Sequence, residues 1–136
     1  MSTHLKDKLE RIELTIEKLL QESDKGVPIV VEGKKDTQAL RELGVNGTIL
    51  TLKTGGKNFL QATTEIETVD YKEVILLLDF DRRGKEATKR LQFDLERLKI
   101  KVNLRFWIEL QALVGHEIQC TESLPNYLRT LHKKTQ

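Results

Sequence analysis

The 136-residue sequence has few of the residues that staple or stiffen a chain: one cysteine, two prolines, one tryptophan and 5% aromatics. A lone Cys120 excludes an internal disulfide framework and fits a reducing compartment, so a cytoplasmic location is expected. No apolar run approaches the ~18 residues of a membrane-spanning helix. The opening MSTHLKDKLERIEL is too charged for the apolar segment of a secretory leader, so a soluble protein without a membrane partner is expected. A dominant charge sign is missing as well. With 23 Lys and Arg against 21 Asp and Glu, the net charge of +2 does not by itself mark a polyanion as partner. Internal repeats and low-complexity segments are also absent.

What is present is enough for one ordinary domain, residues 1–136, which buries roughly two thirds of the surface of its unfolded chain. Leu5, Leu9, Ile12, Ile16, Leu19 and Leu20 recur at three- and four-residue spacing and predict an amphipathic helix over 3–22. SDKGVP breaks it, and PIVVEG then reads as a short strand buried on both faces. KKDTQALREL is a helix closed by Gly44, and GTILTL is a second strand. The loop KTGGKN precedes a weaker helix over Phe59–Glu65 and a third strand, EVILLLD. From Lys85 to Leu98 a helix shows Ala87, Leu91, Leu95 and Leu98 on one face, and KVNLRFW is the fourth strand. The extension 108–136 has helical patches interrupted near Ser123–Pro125. Strands alternating with helices through short loops predict an α/β fold, a four-stranded parallel sheet flanked by helices, with an N-terminal helix and a helical C-terminal tail.

Charge is distributed unevenly on this frame. VVEGKKD ends a buried strand on Glu32 beside Lys34 and Lys35, and ILLLDFDRRG ends another on Asp79 and Asp81 beside Arg82 and Arg83. Nine basic residues face three acidic ones between Arg82 and Arg105; alone, such a run reads as a solvated helix face. In parallel sheets ligands bind beyond the carboxyl ends of the strands, where Glu32 and Asp79 stand. Asp79 and Asp81, two apart, project to the same side if the strand persists. Three carboxylates in one crevice raise each other's proton affinity unless a cation compensates them. All-oxygen ligands suit Mg²⁺ or Mn²⁺, with a substrate phosphate completing the shell and the adjoining bases meeting phosphate. Gly33 lets a phosphate approach the following helix N-terminus closely.

The order VEGKKD, then a strand ending in DFDRRG, resembles the Toprim domain of topoisomerases, bacterial-type primases, recombination-repair proteins and the 5S ribosomal RNA maturase. That family pairs a glutamate and glycine after its first strand with an Asp-x-Asp after a later one. Glu32, Gly33, Asp79 and Asp81 occupy these positions, with Asp36 and Gly84 as accompanying residues. The resemblance covers about residues 27–107 and is nearest in size to small stand-alone, primase-like Toprim proteins of archaea and some bacteria. It implies metal-dependent phosphoryl chemistry on nucleic acid, with Glu32 as metal ligand or general acid/base and Asp79 and Asp81 as metal ligands. The surroundings of Tyr71 and Tyr127 do not match a topoisomerase nucleophile, and zinc-ribbon cysteines are absent. Neither a topoisomerase nor a complete primase is therefore expected.

Other patterns are weaker. TGGKN echoes a phosphate loop, but the full motif needs glycine where Thr51 stands and Ser or Thr where Asn58 stands; Lys57 remains a phosphate-binding candidate in what is otherwise a turn. An Asp-x-Asp phosphatase would need threonine at Arg83 and the pair on the first strand. His116 and Cys120, four apart, would offer a helix-borne zinc pair, yet a lone pair is more often structural. Trp107, at the end of the expected fourth strand, reads as a core or interface anchor. Two functions follow: a small Mg²⁺-dependent nuclease or nucleotidyl-transfer module acting on RNA or DNA, or a non-catalytic metal- and nucleic-acid-binding subunit working with other processing proteins.

Overall fold

The structure, a computed structural model, describes residues 3–52 and 59–136. Along the chain it contains α1 (Thr3–Asp24), β1 (Ile29–Val31), α2 (Lys34–Leu43), β2 (Ile49–Thr51), α3 (Phe59–Val69), β3 (Glu73–Leu76), α4 (Arg82–Arg97), β4 (Lys101–Asn103), α5 (Arg105–Val114), a 3-10 turn (Thr121–Ser123) and α6 (Leu124–Thr135). The four strands form one sheet in the order β2-β1-β3-β4. Every pairing is parallel, as alternating strands and helices require.

The central strands β1 and β3 are buried on both faces, and their side chains alternate between two cores. Ile29 and Val31 of β1 join Ile75 and Leu77 and pack under α1, α2, α5 and α6. Val30, Val74, Leu76 and Leu78 point the other way, toward α3 and α4. On α1 the buried side chains include Leu9, Ile12, Ile16 and Leu19, the stripe that the sequence periodicity marks. α2 ends where Gly44 adopts φ 109°, a left-handed conformation that favours glycine.

Several boundaries differ from the sequence expectation, the third strand ending at Leu76 and α3 running on to Val69 among them, and two have a clear local reason. The fourth strand does not reach Trp107. Its ladder with β3 spans only Lys101–Asn103, and the Asn103 Oδ1 accepts the Arg105 N–H at 2.9 Å, which turns the chain into α5. Phe106, Leu110 and Val114 then bury one helical stripe, and Trp107 lies on this helix with its indole N–H donated to the Leu78 carbonyl at 3.0 Å. The second difference is at α4, which starts at Arg82 rather than Lys85. Asp81 is its N-cap and accepts the Gly84 N–H at 2.7 Å. Arg82 and Arg83 therefore occupy the first helical turn.

The C-terminal extension is built into the molecule. Ile118, Leu124, Leu128 and Leu131 belong to the core on the α1 side of the sheet. The Phe80 N–H donates to the Gln119 carbonyl at 2.7 Å, fastening this segment across the carboxyl end of the sheet. No helix among the described residues is long and apolar enough to cross a membrane.

Candidate metal and phosphate site

β1 pairs with β2 on one side and β3 on the other, so the path across the sheet reverses between β1 and β3. Such a reversal leaves a crevice beyond the strand ends, and Glu32 and Asp79 stand on its two walls. The Asp79 N–H donates to Glu32 Oε2 at 3.0 Å, which holds the two residues together across the crevice. Glu32 is only 7% exposed, so this contact is well shielded from water.

Asp36, in the first turn of α2, completes the acidic group. It is 6% exposed, accepting the Gly33 N–H on Oδ2 at 3.1 Å and the Glu122 N–H on Oδ1 at 2.9 Å. One carboxylate thus caps its own helix and anchors the 3-10 turn of the C-terminal extension. Burial raises its proton affinity and the two N–H donors oppose that rise. A carboxylate oxygen from Asp36, one from Asp79 and the Cys120 Sγ all lie within 4.8 Å of one another. Glu32, Gly33, Lys34, Lys35, Glu122 and these three residues line a cleft of about 250 Å³.

The electrostatics of the cleft centre on Asp79. Burial first, then the charges of Glu32 and Asp36, the hydrogen bond to Glu32 and the charge of Asp81 push its carboxyl up to about 7. A carboxyl group in an unfolded chain titrates near 3.9. Between about pH 4 and pH 7 the folded protein therefore holds a proton that the unfolded chain has lost, and stability falls as pH rises. The contribution is fully present below about pH 4 and gone once pH has risen through about 7. In chelator, the melting temperature is expected to drop from pH 5 to pH 8, and Asp79→Asn to flatten that drop. A parent protein with the same pH profile as the variant would show that Asp79 is not the group responsible.

The donor set fits a hard divalent cation. Carboxylate oxygens dominate it, and their mutual repulsion is what a bound Mg²⁺ or Mn²⁺ would relieve. Cys120 does not disturb that match. Its Sγ lies 3.7 Å from Ser123 Oγ, and burial pushes the thiol up, keeping it neutral and a poor ligand for such an ion.

Of the residues marked in the sequence, the structure brings Glu32, Gly33, Lys34, Lys35, Asp36 and Asp79 to this cleft. Asp81 is near enough for its charge to act on Asp79, but the β3 ladder ends at Leu76 and its Oδ1 caps α4. Arg82 and Arg83 are exposed in that first turn, Arg82 with a long contact of 3.4 Å to Glu86. Gly84 is buried against the Asp79 backbone. Lys57 lies outside the described residues. Cys120 and Glu122 are cleft residues that the sequence does not mark, since nothing in QCTES shows which strand ends it covers. Cys120 belongs with Asp36 and Asp79 rather than with His116, which lines a separate groove beside α1.

The model of the Toprim domain matches residues 27–108 of the chain. The chain belongs to the Toprim domain family. Toprim domains are typically metal-binding and occur in proteins that process nucleic acid, and the acidic cleft lies within the matched segment apart from Cys120 and Glu122. The chain is 34% identical over 129 residues to a UPF0292 protein of Methanosarcina acetivorans, covering 94% of this chain and 87% of the relative. A UPF0292 protein of Methanocaldococcus jannaschii is 38% identical over 120 residues, covering 88% and 91%. A solved structure of an Aquifex aeolicus protein shares the fold, with a TM-score of 0.66 at 24% identity over 80% of this chain and 94% of that one.

Proposed function

We propose that the protein is a Mg²⁺- or Mn²⁺-dependent Toprim module acting on nucleic-acid phosphodiesters, of the nuclease or nucleotidyl-transfer type. One juxtaposition carries this reading: an acidic cleft at the switch point of the sheet, with exposed bases in the first turns of the two helices that start there. Lys34 and Lys35 open α2, and Arg82 and Arg83 open α4. The positive end of a helix favours acids in its first turn, so bases there carry a small cost and concentrate positive potential beside the carboxylates. A phosphodiester offers the matching chemistry, with anionic oxygens for the bases and for a carboxylate-held cation.

In this reading Glu32, Asp79 and Asp36 hold the metal, with Asp81 beside them as the family resemblance implies. The ion when bound supplies charge stabilisation on the phosphoryl group and a water of lowered proton affinity. Lys34, Lys35, Arg82 and Arg83 position the phosphate backbone. Glu32 is the candidate for moving a proton, because its carboxyl group is held by the Asp79 N–H in a site with little water.

A second reading has its own observation. The Asp81 carboxylate is engaged as a helix cap, which leaves fewer acids to coordinate a reacting group and favours a subunit that binds metal and nucleic acid without cutting. Two measurements decide. Calorimetry or Mn²⁺ relaxation is expected to show weak metal binding, lost in Asp79→Asn and reduced in Asp81→Asn; unchanged binding in the double variant would refute the shared site. Incubation with Mg²⁺ or Mn²⁺ and labelled single-stranded RNA, DNA or structured RNA is expected to give metal-dependent cleavage. Binding without cleavage would select the subunit reading.

A further inference from the structure

We propose that the solvent face of α4 is a track for single-stranded nucleic acid leading away from the cleft, with Phe93 as the platform on which a base stacks. This rests on the reading of the cleft as a nucleic-acid site and extends it to residues that reading does not use.

At 3.6 residues per turn, Arg82, Glu86, Lys89, Phe93 and Arg97 fall on one stripe with Glu86 its one acid, paired to Arg82 at 3.4 Å, opposite the buried Gly84, Thr88, Leu91 and Leu95. Arg83, Lys85 and Arg90 flank the stripe, so six exposed bases face outward against the exposed acids Glu86 and Glu96. Phe93 sits in the middle and is 61% exposed, with the Arg97 guanidinium 5.6 Å from its ring centroid. A single exposed phenylalanine is common. One centred in a basic stripe that begins beside a phosphate-binding cleft has a specific use. Twelve residues of helix separate Phe93 from Asp81, about 18 Å, which several nucleotides of an extended strand span.

Charge and shape choose the occupant. A second copy of the same face would set bases against bases, and a protein partner would call for a contiguous apolar patch rather than one ring among charges. A duplex hides the faces of its bases. An unpaired strand offers both a phosphate row for the bases of α4 and an open base for the ring, the combination used by sequence-tolerant single-strand binders.

The test is fluorescence anisotropy in chelator with labelled single-stranded oligonucleotides of about twelve residues, one RNA and one DNA, within the site sizes such proteins cover. Phe93→Ala is expected to weaken binding about 5- to 150-fold in both arms, since a base stacks whatever its sugar, and Phe93→Tyr to keep it near the parent level. Lys89→Ala with Arg97→Ala is expected to reduce the log-log salt slope by about 1.4. Phe93 is on the surface, so both of its variants should fold. Parent-like binding by Phe93→Ala would overturn the track, as would a change in sedimentation behaviour in place of lost strand binding, which would mark a protein interface. Mn²⁺ titration of the same proteins in chelator-free buffer separates the two readings. Strand binding that depends on Phe93 in a parent without Mn²⁺ affinity would leave the track standing and the cleft reading refuted. The reverse pattern would do the opposite.

Discussion

Glu32→Gln is expected to fold normally, to bind nucleic acid near the parent level and to turn over roughly 10² to 10⁴ times more slowly in metal-dependent cleavage. The amide keeps one oxygen in place to accept the Asp79 N–H, so the contact across β1 and β3 survives the substitution. It cannot take a proton, and its NH₂ group can only donate toward the Asp79 carboxyl. If Glu32 moves a proton, the defect stays in turnover and added metal does not correct it. If Glu32 is mainly a ligand, metal affinity falls first and excess Mn²⁺ restores part of the rate. Full turnover at ordinary metal concentration would contradict both roles. Steady-state kinetics across a Mn²⁺ series, together with metal titration of the variant, distinguish the three results.

Much of the frame behind that prediction is legible in the sequence because local signals and the global fold agree. The unbroken apolar runs of β1 and β3, the glycine that closes α2 and the apolar stripe of α1 each have one physical reading. Parallel strands then bring Glu32 and Asp79 together although 47 positions separate them. The strand-to-helix boundary before Trp107 is less legible, because Val102, Leu104 and Phe106 alternate as in a strand while Phe106, Leu110 and Val114 repeat as in a helix. The Asn103 side chain decides between them. Asp81 is a different case. An acid immediately before a helix is a recognisable cap, and reading it only as a partner of Asp79 hides that role.

The part of the cleft that no local pattern announces is the contribution of the C-terminal extension. Asp36 and Glu122 meet across 86 positions through one backbone N–H, and Phe80 meets Gln119 through another. Backbone groups are the same at every residue, so such contacts leave no trace in composition or periodicity. Their consequence is chemical. By covering the strand ends, the segment from Gln119 to Ser123 lowers the water content around Asp36 and Asp79, and burial is the leading cause of the raised proton affinity of both. The extension thus tunes a site whose acids come from the Toprim core.

Gly84→Ala is expected to destabilise the protein by about 3 kcal/mol, lowering its melting temperature by about 10 °C, and to weaken metal binding in the molecules that remain folded. The reason is close packing rather than backbone freedom. A Cβ on Gly84 would lie 2.6 Å from the carbonyl carbon of Asp79 and 2.9 Å from its Cα, and nearer still to the carbonyl oxygen. These are backbone atoms just beyond the end of β3, so no rotamer change relieves the overlap. Either α4 shifts outward or the Asp79 segment moves. Both responses disturb the Asp81 cap, whose partner is the Gly84 N–H itself, and the Asp79 N–H bond to Glu32. Thr88 gives an internal comparison, because its hydroxyl donates to the Gly84 carbonyl at 2.7 Å one turn later, at a distance from the carboxylates. Thr88→Ala should therefore lower stability in chemical denaturation by about 1 kcal/mol while leaving the Mn²⁺ affinity of the folded protein unchanged. Gly84→Ala should lower both. Parent-like stability and metal affinity in Gly84→Ala would show that the contact between α4 and the end of β3 is looser than the structure gives and that the position of Asp79 does not depend on it.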